Sequence, residues 1–139
     1  MQYKTHSLEE TQNVAAEIAQ QFKNKGGLIA LEGDLGAGKT TFTQGFARAL
    51  DIDKIISPTF VLVRVHPIPN SERTLFHIDL YRLEGQIKIE ELGIKDMLSD
   101  PDNIIIIEWA EKLGNQLPKD AMKIKIEKVS ENERNILVI

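Results

Sequence analysis

Cysteine is absent from the 139 residues, which excludes a disulfide framework and any thiolate metal site. Long apolar runs are missing too. The longest purely apolar stretches are four-residue pieces such as Ile104 to Ile107, against the ~20 residues a membrane-spanning helix needs. Met1 to His6 is polar and leads into an acidic stretch, so nothing there has the charged-then-apolar pattern of a secretory leader. Repeats, low-complexity runs and proline- or serine-rich linkers are also lacking, and the expectation is one soluble, cytoplasmic domain over residues 1–139. A chain of this size buries roughly 68% of the surface its unfolded form exposes, enough for a core without staples. Basic charge is scarce as well: 17 basic against 21 acidic residues leave a formal charge of -4 and a pI near 5.4. Proteins that grip nucleic acid by its phosphates usually present a basic surface, with a domain pI above ~9. Unaided RNA or DNA binding is therefore a poor first expectation, although a local basic face can hide in an acidic average.

What is present reads as alternating helices and strands. Ser7 and Glu10 form an S-x-x-E capping box, and Val14, Ala15, Ile18, Ala19 and Phe22 follow at helical spacing until Gly26 and Gly27. Leu28 to Leu31 is too short an apolar run for a helix and reads as a buried strand. A glycine-rich turn then leads into a helix from Gly38 to about Leu50. Phe60 to His66 and Thr74 to Tyr81 read as a hairpin, Glu84 to Leu92 as a short helix stopped by Gly93, and Ile104 to Ile107 as a second buried strand. Met122 to Val129 alternates apolar and charged residues and pairs with Ile136 to Ile139 in an antiparallel edge hairpin with one solvated face. Its charges, Lys123, Lys125, Glu127 and Lys128, are expected on that face. The fold class this implies is α/β, a three-layer sandwich with a mixed central sheet and antiparallel edge hairpins, and the glycine-rich turn makes it one of the P-loop NTPase kind.

Gly33-Asp34-Leu35-Gly36-Ala37-Gly38-Lys39-Thr40 fits GxxxxGK(S/T), the Walker A pattern. Glycines let successive backbone N–H groups turn toward one point, and the helix that follows adds its dipole and unpaired N–H donors. Lys39 is expected on the β and γ phosphates and the Thr40 hydroxyl on Mg²⁺. A chance match in a chain this long has a frequency of about half a percent. A preceding apolar strand and a following helix supply the context the motif needs. A second acid belongs at the end of a neighbouring buried strand, and Glu108, directly after the isoleucine run, stands there. Asp79, at the end of the Thr74 strand, is another candidate. Thr59, within Ser57-Pro58-Thr59-Phe60, is a candidate sensor of the γ phosphate.

The loop continuing through Thr41 and Phe42, then Ser57-Pro58-Thr59-Phe60, then His77-Ile78-Asp79-Leu80-Tyr81-Arg82, then Ile107-Glu108-Trp109, in this order and spacing, closely resemble the TsaE (formerly YjeE) family. The likeness covers roughly residues 7 to 118. It implies a small ATPase needed for making threonylcarbamoyladenosine next to the tRNA anticodon, acting with TsaB and TsaD, where TsaD transfers the threonylcarbamoyl group. The cofactors implied are ATP/ADP and Mg²⁺, with tRNA contacted through the complex. Carried over residue by residue, the resemblance puts Lys39 on phosphate, Thr40 and Glu108 on Mg²⁺, Asp79 as a catalytic or metal-linked acid, Trp109 beside the site, and Thr11 in contact with nucleotide. The family continues past the position of Ile139, so a contact made through a C-terminal tail is not expected from these residues.

Other readings compete. A small-molecule kinase shares the P-loop but needs an acceptor pocket and usually an arginine-bearing lid, and the stretch from Glu84 to Asp102 contains no arginine. A GTPase would show an N-K-x-D motif after a buried strand, which Asn24-Lys25-Gly26-Gly27 does not supply. A scaffold that binds ATP and hydrolyses little is a third class. His77 is expected to be a satisfied structural side chain, His66 a solvated strand end, and Arg82 a surface ion pair or a cis arginine.

Overall fold

Four consecutive isoleucines, Ile104 to Ile107, are buried because a layer of side chains covers each face of the strand that carries them. The computed structural model describes residues 1–55 and 63–139. It contains β1 (Gln2–Thr5), α1 (Leu8–Phe22), β2 (Gly27–Glu32), α2 (Lys39–Ala49), β3 (Val63–Pro67), β4 (Thr74–Asp79), α3 (Ile94–Ser99), β5 (Ile104–Glu108), β6 (Met122–Lys128) and β7 (Arg134–Val138). Short 3-10 segments lie at Ile89–Leu92 and Ala110–Gln116. The seven strands form one sheet in the order β1-β7-β6-β2-β5-β4-β3. β2 is parallel to β5 and β6, and β4 to β5, whereas the β3–β4, β6–β7 and β1–β7 pairs are antiparallel.

Alternation along β5 builds the three layers. Ile104 and Ile106 pack with Ile18, Phe22, Phe42 and Phe46 from α1 and α2. Ile105 and Ile107 pack on the opposite face with Leu28, Ala30, Ile94 and Leu113. Full burial of each isoleucine is worth about 1.5–3 kcal/mol relative to exposure, which is why a strand apolar on both faces sits at the centre. α1 and α2 cross closely at Gly45, where a Cβ would come 2.7 Å from the Gln12 Cα. Any larger residue there must push the helices apart.

Several expectations are refined. Half of the capping box forms as read, with Ser7 Oγ accepting from the Glu10 N–H at 3.1 Å. The other half shifts by one residue, since Glu10 accepts from His6 N–H at 3.2 Å. Antiparallel strands occupy both ends of the sheet as expected, but the rim beside β7 is β1, absent from the sequence reading, so β6 and β7 are each paired on both sides. The alternation on β6 holds, with Ile124 and Ile126 buried and Lys123, Lys125 and Glu127 exposed. β4 ends at Asp79 instead of Tyr81. The helix expected over Glu84 to Leu92 is reduced to its last turn. The Gln116 side chain explains this, because it donates to Ile87 O at 2.6 Å and accepts from Ile89 N–H at 2.9 Å, holding that segment extended while Ile87 is buried. The helix appears instead beyond Gly93, as α3. Ser57-Pro58-Thr59-Phe60 and the start of the strand expected from Phe60 lie outside the described residues. Among the described residues no helix is long and apolar enough to cross a membrane.

Candidate functional site

Because β2, β5 and β4 are parallel neighbours, their carboxyl ends open on the same edge of the sheet, the usual ligand crevice of α/β sheets. From β2 the chain turns through Gly33 to Gly38 into α2. Gly33 (φ 149°) lies so near β6 that a Cβ would come 2.5 Å from Ile126 O, which fixes glycine there. Loop, α2 start and strand ends enclose a cleft of about 330 Å³. Leu35, Gly36, Gly38, Lys39, Thr40 and Thr41 line it from the loop side, and Asp79, Glu108 and Trp109 from the strand ends. Gly33, Asp34 and Ala37 complete the loop and face an adjoining cleft of about 480 Å³. Thr11 is buried with its hydroxyl 2.8 Å from that of Thr5, beside a cavity of about 160 Å³ that shares Gly38 and Thr41 with the main cleft. Thr59 lies outside the described residues.

Lys39 is buried, and its ammonium donates to the carbonyls of Gly33 and Asp34 (3.0 Å for the latter) while standing 3.8 Å from the centre of the Trp109 ring. Burial pushes its pKa below the ordinary lysine range, and the nearby charges of Glu111, Glu108, Asp34 and Asp79 pull it back up in part. Trp109 reaches this position through a left-handed backbone (φ 62°, ψ 37°), which costs on the order of 1–2 kcal/mol for a non-glycine residue. Strain of this kind persists where the surroundings enforce it, commonly at functional sites.

Register places Asp79 directly opposite Glu108. Glu108 is 2% exposed and both its oxygens are engaged. Oε1 accepts from the Thr40 hydroxyl at 3.1 Å, and Oε2 lies 2.5 Å from His77 Nε2 and 3.5 Å from the Thr43 hydroxyl. A buried carboxylate needs such partners, since an unpaired charge out of water is very costly. Asp79 is half-buried, and its Oδ1 accepts from the Tyr81 N–H at 2.9 Å. Burial raises its pKa above the ordinary carboxylate value, opposed by the Tyr81 hydrogen bond and reinforced by the charge of Glu108.

His77 is buried as expected of a structural side chain, yet only half satisfied among the described residues, where Nδ1 finds no hydrogen-bond partner. His66 does stand near the end of β3 and is partly exposed, but its Nε2 is buried with no hydrogen-bond partner among the described residues, and burial lowers its pKa. Sequence reading missed three contributors. Thr43 follows Lys39 by four residues, so helical spacing was an available signal. Glu111 accepts from the Gly33 N–H at 3.1 Å. Arg134, from β7, donates to Ala37 O at 2.8 Å and lines the main cleft, a contact 97 residues distant in sequence that no local pattern announces.

The model of a family described as threonylcarbamoyl adenosine biosynthesis protein TsaE matches residues 5–136. The tRNA threonylcarbamoyladenosine biosynthesis protein TsaE of Bacillus subtilis is 36% identical over 137 residues, 98% of this chain and 83% of that protein. Its counterpart of the same name from Streptomyces coelicolor is 40% identical over 105 residues, 74% of this chain and 70% of that protein. The crystal structure of Bacillus subtilis YdiB matches with a TM-score of 0.77 at 32% identity, over 99% of this chain and 83% of that one.

Proposed function

The chain belongs to the TsaE family, and on that premise we propose that it hydrolyses ATP as an accessory component in the synthesis of threonylcarbamoyladenosine in tRNA, working with a complex of TsaB and TsaD. The observation that carries this reading is the convergence of Lys39, Thr40, Asp79 and Glu108, from three separate elements, on one cleft. A cleft that holds a P-loop lysine against two acids suits phosphate chemistry.

The donors fit Mg²⁺, a hard cation that takes one or two protein oxygens and fills its remaining positions with water and phosphate. The Thr40 hydroxyl and the Glu108 carboxylate would hold it, and among the described residues no group of three histidines or acids forms an all-protein cage. When bound, the metal supplies positive charge against the phosphates.

The chain's own residues do the rest. Lys39 exchanges the Gly33 and Asp34 carbonyls for β and γ phosphate oxygens, and the loop N–H groups with the start of α2 hold the remaining phosphate charge. Glu108 is fixed by Thr40, Thr43 and His77, which suits a ligand whose direction must not vary. Asp79 is less constrained and has its pKa raised, which makes it the better proton acceptor and the residue to position the attacking water. An acidic subunit is compatible with RNA modification, because TsaB and TsaD can hold the tRNA.

Reconstituted modification of tRNA by TsaB and TsaD, with and without this protein, tests the reading. Multiple turnover is expected only when the protein and ATP are both present. Equal product without the protein would overturn the accessory role, and phosphate transferred to a small acceptor instead of water would point to a kinase.

A further inference from the structure

Lys112 takes no part in the chemistry above, yet its ammonium donates to three main-chain carbonyls: Leu80 at 2.9 Å, Tyr81 at 2.7 Å and Leu83 at 2.8 Å. An ammonium has three protons, so this cradle saturates it. None of the ion pairs among the described residues includes it. The carbonyls converge because the turn after β4 is closed by Leu83 N–H on Leu80 O at 3.1 Å and tied to β5 by Leu80 N–H on Glu108 O at 3.2 Å. Lys112 itself stands on the 3-10 segment after β5, with its ammonium 5.9 Å from the ring centres of both Tyr81 and Trp109. Those two rings lie 5.2 Å apart.

We propose that Lys112 is a positioning residue that fastens the turn after β4 to the segment after β5, and so fixes Asp79 and Trp109 with respect to each other and to Lys39. Asp79 is reached through the Tyr81 N–H inside the fastened turn, and Lys39 through the Trp109 ring. The proposal rests on the ATPase reading for its catalytic part only. Its structural part concerns the environment of Trp109, the sole tryptophan of the chain.

Lys112→Met keeps the length and apolar stem and removes the donors. With this variant, kcat for ATP hydrolysis is expected to fall on the order of tenfold with the KM for ATP near the native value, because the P-loop donors are untouched. Acrylamide is expected to quench Trp109 more strongly than in the wild type without nucleotide, and Lys112→Arg to restore part of both properties. Were Lys112→Met not to fold, Lys112→Leu, which also lacks donors, carries the same comparison. A folded donor-less variant with native kcat and native quenching overturns the proposal, even if its Tm is lower, since that pattern is stability alone. A wild-type protein that hydrolyses no ATP, alone or with TsaB and TsaD, overturns the ATPase reading instead, and the quenching comparison then decides the role of Lys112.

Discussion

The ends of β4 and β5 carry two carboxylates in register, Asp79 and Glu108, and the molecule treats them in opposite ways. Glu108 is buried and held by two hydroxyls and an imidazole. Asp79 is half-buried, accepts a single backbone N–H and is pushed toward its protonated form. Identical functional groups on adjacent strands thus acquire separate properties from their surroundings, and the proposed mechanism assigns the held one to the metal and the freer one to the attacking water.

Substituting each acid by its amide is the strongest way to break that comparison. Glu108→Gln is expected to lower ATP hydrolysis on the order of a thousandfold by removing the charge that complements the metal. Asp79→Asn should lower it on the order of a hundredfold by removing the proton acceptor. Steady-state phosphate release measures both, and hydrolysis by Asp79→Asn at the native rate would remove Asp79 from the mechanism. A smaller effect sharpens the account of Glu108. His77→Phe, which keeps a ring but loses the contact to Oε2, should raise the Mg²⁺ concentration needed for half-maximal hydrolysis by about tenfold while saturating Mg²⁺ recovers much of the rate. An unchanged Mg²⁺ titration would reduce His77 to a packing residue.

The smallest effect is on stability. Because burial raises the folded-state pKa of Asp79, the folded protein binds that proton more tightly than the unfolded chain does. Its ionisation therefore costs stability at neutral pH, and the cost disappears as pH falls through the raised value. Asp79→Asn should match or exceed the wild-type Tm at neutral pH and lose its advantage in acid, as thermal unfolding at a series of pH values would record. A variant less stable at neutral pH than in acid, relative to wild type, would contradict the sign.

Much of this site is legible in the sequence because its parts are set by local rules. The loop from Gly33 to Thr40 needs particular residues at particular spacings, and β5 announces itself as an apolar run covered on both faces. What was not legible depends on distant partners. β1 is four residues of mixed polarity that become a strand only by pairing with β7. The segment from Glu84 has helical composition but is captured by Gln116, whose side chain replaces helical hydrogen bonds. Arg134 and Lys112 act on main-chain carbonyls, which carry no sequence signature. His77 looked like an ordinary strand histidine because its partner, Glu108, is 31 residues away.

The separation of tasks between the two acids is tested most directly by calorimetric titration of a non-hydrolysable ATP analogue, with and without Mg²⁺, into Asp79→Asn and Glu108→Gln. With Glu108 on the metal and Asp79 on the water, Asp79→Asn is expected to bind as wild type does and to be tightened by Mg²⁺, whereas Glu108→Gln loses that tightening. Loss of the Mg²⁺ effect in Asp79→Asn with its retention in Glu108→Gln would contradict that separation.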